Sequence, residues 1–238
     1  MASRKEQKEQ LRREREEREA AERAQKRRKQ LVGYGVGGVV ALVLIVVVAV
    51  VLVGGGDGKS TSSASTAVLP DGGSVPKQKV RDLDRAAKAA GCTLKSYKGK
   101  SREHTDDVNK TIKYDSDPPT EGAHYVEPAA DGSYDTAPKV TSTVHALEHG
   151  RIVIWFKKSL PKQDRANLKA LFDEDSYQLL LVPHDAMKYQ VAASAWSREP
   201  VPNGTGRLLG CDRFDDGVYD AIRTFKDEHR GNGPEPIP

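Results

Sequence analysis

The run Val144-His145-Ala146-Leu147-Glu148-His149-Gly150-Arg151-Ile152-Val153-Ile154-Trp155-Phe156 sets two histidines, a glutamate and a turn glycine directly against a strand-like stretch. Residues 151–156 read as a strand, because a short apolar run rich in β-branched and aromatic residues fits a buried sheet position. What precedes them has two readings. Residues 143–150 form either a short strand and tight turn at Glu148-His149-Gly150, or a helical turn capped by Gly150. The choice has chemical consequences. In one continuous strand, residues four apart lie roughly 13 Å apart, too far to share an ion. On a helical turn or across a hairpin, His145 and His149 come within about 5–7 Å.

Around this stretch the rest of residues 79–238 alternates strand and helix patterns. Residues 80–90 have helical spacing and stop at Gly91, and residues 92–97 alternate like a strand. Residues 110–114 suggest another short strand. Residues 115–138 are punctuated by Pro118, Pro119, Gly122, Pro128, Gly132 and Pro138 and read as loop. Residues 162–172 form an amphipathic helix with Leu168, Leu171 and Phe172 inward. Residues 177–183, 190–196 and 207–211 read as strands. Residues 216–230 are a last helix, with Val218, Ile222 and Phe225 on one face and Asp215 or Asp216 at its N-cap. Strands interleaved with helices, without a regular repeat, predict a small mixed α+β domain.

The N-terminal third is built differently. Residues 1–30 carry twelve Lys/Arg against seven Glu, a net +5, and read as a charged, solvated cytoplasmic segment. Residues 31–53 contain no charged residue, enough at about 1.5 Å per residue to cross a bilayer as a permanent transmembrane helix. Lys26, Arg27, Arg28 and Lys29 abut that run, so the positive-inside rule places the N-terminus in the cytoplasm and the C-terminal domain outside. Residues 54–78 are Gly/Ser/Thr-rich and read as a flexible tether. Gly33-Tyr34-Gly35-Val36-Gly37-Gly38 matches a dinucleotide fingerprint literally, but it lacks the strand before and amphipathic helix after that the fingerprint needs. Gly33 and Gly37 instead give a GxxxG pattern on which two anchors can pair as a homodimer. The chain totals +4, so the 208 residues after the first thirty sum to −1. A near-neutral domain lacks the electrostatic footprint of a nucleic-acid binder.

Cys92 and Cys211 are the only cysteines and both fall in the outward part, where an oxidising compartment favours a disulfide between them. They are not a CxxC pair, which leaves a thioredoxin-like role without support.

The chemistry gathers in histidines. His124 in the loop, with His145, Glu148 and His149, makes a candidate site for copper or zinc. His104 lies about 20 residues upstream of His124, and His184 and Met187 add further donor types. The alternative is that these groups are satisfied structurally in a buried hydrogen-bond network. The domain would then be an envelope interaction module that docks a partner through its long loop. His145-Ala146-Leu147-Glu148-His149 also spells H-x-x-E-H, the inverted zinc-peptidase pattern, which requires a continuous helix. Gly150 and the strand after it argue against that helix and against hydrolysis. No Gly-x-Ser-x-Gly elbow or phosphate loop supports another catalytic class. His229, at the end of the last helix, is placed to favour the helix dipole.

Taken together, Ser116-Asp117-Pro118-Pro119-Thr120-Glu121-Gly122-Ala123-His124-Tyr125, the 144–155 run, Ala195-Trp196, Ile222-Arg223-Thr224-Phe225 and Gly233-Pro234-Glu235 resemble bacterial domain of unknown function 3105. The resemblance covers about residues 79–236. It implies a charged N-terminus, a single span and an outward domain in the cell envelope, and it carries no activity with it. This chain has Glu121-Gly122-Ala123-His124 where that family more often has Ser-Gly-Pro-His, a departure that keeps the histidine.

Overall fold

Leu179–Pro183 and Ile152–Phe156 are buried at every position, as strands covered on both faces must be. They are neighbouring interior strands of a six-stranded mixed sheet in the computed structural model, which describes residues 68–235. In chain order the elements are α1 (Leu83–Ala89), β1 (Thr93–Lys98), β2 (His104–Thr105), β3 (His124–Tyr125), β4 (Gly132–Ser133), α2 (Val140–Glu148), β5 (Ile152–Phe156), α3 (Lys162–Glu174), β6 (Leu179–Pro183), β7 (Val191–Ser197), β8 (Thr205–Cys211) and α4 (Asp216–His229). The sheet order is β1-β8-β7-β5-β6-β4, and β2 and β3 make a separate parallel pair. β6 runs parallel to both β5 and β4, while the other pairings are antiparallel. The mixed α+β class expected from the pattern is the one observed.

Period-two alternation divides the core. Ile152, Ile154, Phe156, Leu181, Val191 and Ala193 pack on one face with α1, α3 and α4. Val153, Trp155, Leu180, Ala192 and Trp196 point to the other face, where Val144, Ala146 and Leu147 of α2 cover them. On this second face the Trp155 indole N–H donates to the Ser194 hydroxyl at 2.7 Å, satisfying two buried polar groups with each other.

The open choice at residues 143–150 resolves to helix. Gly150 takes φ +81°, its N–H donates to Leu147 O (2.9 Å), and Arg151 N–H donates to Ala146 O (3.1 Å). Those two bonds are a Schellman stop, which turns the chain straight into β5. α1 ends the same way, with Gly91 at φ +63° and bonds from Gly91 N–H to Lys88 O and Cys92 N–H to Ala87 O. Asp82 and Asp215 cap the N-termini of α1 and α4 by accepting from Arg85 and Gly217 N–H.

Several expectations are corrected. No strand forms at residues 110–114; Tyr114 instead sends its hydroxyl proton to Ala123 O (3.0 Å). The 115–138 loop contains two dipeptide strands, β3 and β4, and its residues 118–122 are buried. Residues 68–78, read as the end of a tether, pack against the domain: Leu69 is in the core, and Ser74 N–H donates to Asn167 Oδ1 (3.0 Å). Among the described residues no helix is long and apolar enough to cross a membrane. The charged segment 1–30, the apolar run 31–53 and the Gly33/Gly37 pattern lie outside those residues. The disulfide expected between Cys92 and Cys211 is formed.

His229 does not serve the helix dipole as a cation. Its side chain is 11% exposed, its ring stands edge-on to Phe225 at 4.7 Å, and burial, with a smaller contribution from Arg207, lowers its pKa to about 4. A histidine held neutral when folded stabilises the fold above its unfolded pKa of about 6.5, and that stability is lost as pH falls toward 4. The facing charges are Arg207 and Glu228. His229→Phe is therefore expected to flatten the acid limb of the stability curve between about pH 6.5 and 4 by up to roughly 3 kcal/mol. Denaturant melts at stepped pH check this, and equal slopes in the two proteins would refute it.

Candidate metal centre

Two short elements and one helix end bring the site together. β2 and β3 pair in parallel with His104 directly opposite His124, an arrangement fixed by bonds from His124 N–H to Glu103 O (2.9 Å) and Val126 N–H to Thr105 O (3.0 Å). α2 packs against β3 and presents His145 and Glu148 from one face, as residues three apart on a helix do. His104, His124, His145 and Glu148 each offer one ligand atom, and all four atoms lie within 4.8 Å of one another. His124 and Glu148 are fully buried, while the His104 side chain is 39% exposed and faces the solvent side.

The far nitrogens of two of these rings are pinned. His124 Nδ1 sits 2.7 Å from Gly122 O, and His145 Nδ1 sits 2.6 Å from Tyr125 O. A carbonyl only accepts, so each Nδ1 carries a proton and each Nε2 is the nitrogen left to face the cluster. His124 Nε2 lies 3.2 Å from His104 Nε2 and 3.0 Å from Glu148 Oε2, and His104 Nε2 lies 3.6 Å from the same oxygen. Oε2 is buried and makes no directed hydrogen bond despite these short contacts. Converging lone pairs repel unless a positive centre lies among them. One proton satisfies one pair; a metal ion satisfies all four. In a tetrahedral site with bonds of about 2.05 Å the ligand atoms stand about 3.3 Å apart, close to the three spacings here.

Electrostatics keeps His145 and Glu148 in ligand form. Burial lowers the His145 pKa to about 4, outweighing its bond to Tyr125, so the ring is neutral at physiological pH. Burial would push the Glu148 carboxyl up, but hydrogen bonds and positive charge from His124, when its Nε2 carries a proton, and from Arg102 reverse this and bring it to about 2. Arg102 Nε donates to Glu148 Oε1 at 2.6 Å, and its other arm reaches Glu235 Oε2 at 3.2 Å. Carbonyl partners behind His124 and His145 and a guanidinium behind Glu148 are of the kind that orients metal ligands.

Of the residues expected from sequence, His124, His145 and Glu148 meet, and His149 does not join the mutual set. Its ring lies 4.5 Å from that of His145, but its Nδ1–H donates to Glu235 O at 2.8 Å. His104 takes the fourth place. The H-x-x-E-H pattern does lie on a helix through Glu148, contrary to expectation, with His149 as its C-cap. The geometry nevertheless puts His145 and Glu148 into the donor set, with Glu148 ion-paired to Arg102 and not free to act as a base. His184 bonds Asp117 at 2.5 Å beside Trp155, and Met187 is buried in the second apolar cluster.

No curated protein and no solved structure matches the chain. One family does, described as protein of unknown function (DUF3105), over residues 104–237, a span that begins at the first histidine of the cluster. With the match covering more than half of its length and the whole donor set, the chain belongs to the DUF3105 family.

Proposed function

We propose that this protein binds one transition-metal ion, zinc or copper, at His104, His124, His145 and Glu148, in a domain held outside the cell membrane by a single N-terminal span. The observation that carries the metal reading is the buried Glu148 Oε2, without a hydrogen bond, at 3.0 and 3.6 Å from two histidine Nε2 atoms. Three imidazole nitrogens and one carboxylate oxygen, with no sulfur, suit Zn2+ or Cu2+ better than Cu+. The half-exposed His104 leaves that side of the site open to solvent, so ions enter and leave there. Uptake, storage or delivery of the ion in the envelope follows from such a site more directly than catalysis does, because the one carboxylate in the set is already paired. The apolar run, the basic residues on its N-terminal side and the Cys92–Cys211 bridge support the extracytoplasmic placement.

The fully buried Trp196, whose ring centroid is 5.9 Å from that of His124, provides a reporter. The chain has two tryptophans, so Trp155→Phe isolates it. In the full-length protein in detergent, Cu2+ is expected to quench Trp196 fluorescence to saturation at one equivalent, and Zn2+ is expected to compete. Elemental analysis of the purified protein gives the ion acquired in the cell. The absence of both quenching and calorimetric heat at micromolar metal would sink the reading.

A further inference from the structure

Residues 231–235 lie across the C-terminal end of α2. Gly231 N–H donates to Gly150 O at 2.8 Å, Glu235 N–H donates to Glu148 O at 3.0 Å, and Arg198 N–H donates to Asn232 O at 2.8 Å. The approach is close: a Cβ on Gly233 would stand 2.2 Å from Glu148 O and 2.3 Å from Gly150 N, so only glycine fits. The Glu235 bond satisfies a carbonyl that the helix end leaves unpaired. Capping alone, however, does not account for two further contacts. The Arg102 guanidinium spans Glu148 Oε1 and Glu235 Oε2, at 2.6 and 3.2 Å. The Glu235 carbonyl accepts from His149 Nδ1–H at 2.8 Å, and the His149 ring lies against His145.

Building on the metal reading above, we propose that Glu235 is a positioning residue that sets how firmly the ion is held, acting on Glu148 through Arg102 and on His145 through His149. The logic is charge sharing. A guanidinium divided between two carboxylates draws less electron density from Glu148 than one devoted to it, so Glu148 keeps more donor power toward the ion. The same fork fixes the carboxylate's orientation, as outer-shell partners of metal ligands do. The strap therefore links retention of the ion to the docking of residues 231–235.

The test uses full-length protein in detergent, loaded with one equivalent of Cu2+ and challenged with excess EDTA, the release followed by recovery of Trp196 fluorescence in the Trp155→Phe background. Glu235→Gln keeps the backbone bonds and removes the charge. Its side chain is 50% exposed, so the substitution leaves the fold intact. Release at least about tenfold faster than in the parent, with an unchanged melting temperature of the metal-free protein, is expected, because losing an outer-shell partner typically costs about 10–100-fold in affinity. Glu235→Asp should restore part of the difference. An unchanged release rate in a protein that still binds one equivalent overturns the role of Glu235 and leaves the metal site standing. A melting temperature that falls in step with faster release reduces the strap to a helix cap and overturns it too. A parent protein that binds no copper removes the metal reading itself, and this inference with it.

Discussion

His145→Ala is expected to abolish stoichiometric metal uptake while the domain stays folded. His145 supplies one of four converging donors, and losing it costs more than the roughly 10–100-fold typical of an outer-shell change. In the parent protein, ion at about a hundred times its dissociation constant adds about 2.7 kcal/mol of stability. For a domain of this size that corresponds to a rise of about 5–10 °C in melting temperature. In His145→Ala the rise should vanish. The metal-free variant should itself lose about 1–3 kcal/mol, because Tyr125 O is left without its donor. His149→Ala is the informative contrast: it lies outside the donor set, so it should weaken binding without eliminating it. Scanning calorimetry with and without Zn2+ reads all of these. A full Zn2+ shift retained in His145→Ala would dismantle the site.

The second large effect concerns the bridge. Cys92 follows the stop of α1, Cys211 ends β8, and they lie 119 positions apart in the chain. Closing a loop that long removes enough freedom from the unfolded chain to be worth up to about 5 kcal/mol in the chain-entropy model. That is a large part of the about 5–15 kcal/mol by which domains are usually stable. Replacing both cysteines with serine, or adding reductant, is expected to lower the melting temperature by roughly 10–20 °C. Thermal melts with and without dithiothreitol provide the check, and an unchanged midpoint would mean that packing alone holds α1 to β8. Metal uptake by the reduced protein below its melting point should persist, since neither cysteine is in the donor set.

The parts of this fold legible in the sequence are those where local preference and burial agree. β5 and β6 are unbroken apolar runs, α3 and α4 carry apolar residues at helical spacing, and Gly91 and Gly150 stop their helices where the left-handed conformation requires them. α2 was ambiguous for a physical reason. Its first turn, Val140-Thr141-Ser142-Thr143, favours strand or cap over helix, and a helix forms there because Val144, Ala146 and Leu147 find the second face of the sheet. His229 was misread because position along a helix reveals the dipole but not the Phe225 ring that buries the imidazole.

The candidate site divides along the same line. The sequence by itself determined the donor types, the closeness of His145 and Glu148 in the chain, the two cysteines, and the order of basic segment, apolar run and near-neutral remainder. Only the tertiary structure decided that His104 belongs to the cluster and that His149, bonded to Glu235 O, lies outside the mutual set. His104 sits in a polar stretch with no periodicity to mark it. Its place comes from a two-residue parallel ladder that sets it opposite His124, and such non-local register leaves no trace in neighbouring residues. Its near-even spacing, 20 residues before His124 as His124 is 21 before His145, was the one hint available. Arg102 and Glu235 are likewise 133 residues apart in the chain and meet only once the C-terminal segment folds back over α2. Short-range preferences therefore specify the elements and the donor types, whereas a side-chain cluster such as this one depends on long-range packing and appears only in the folded chain.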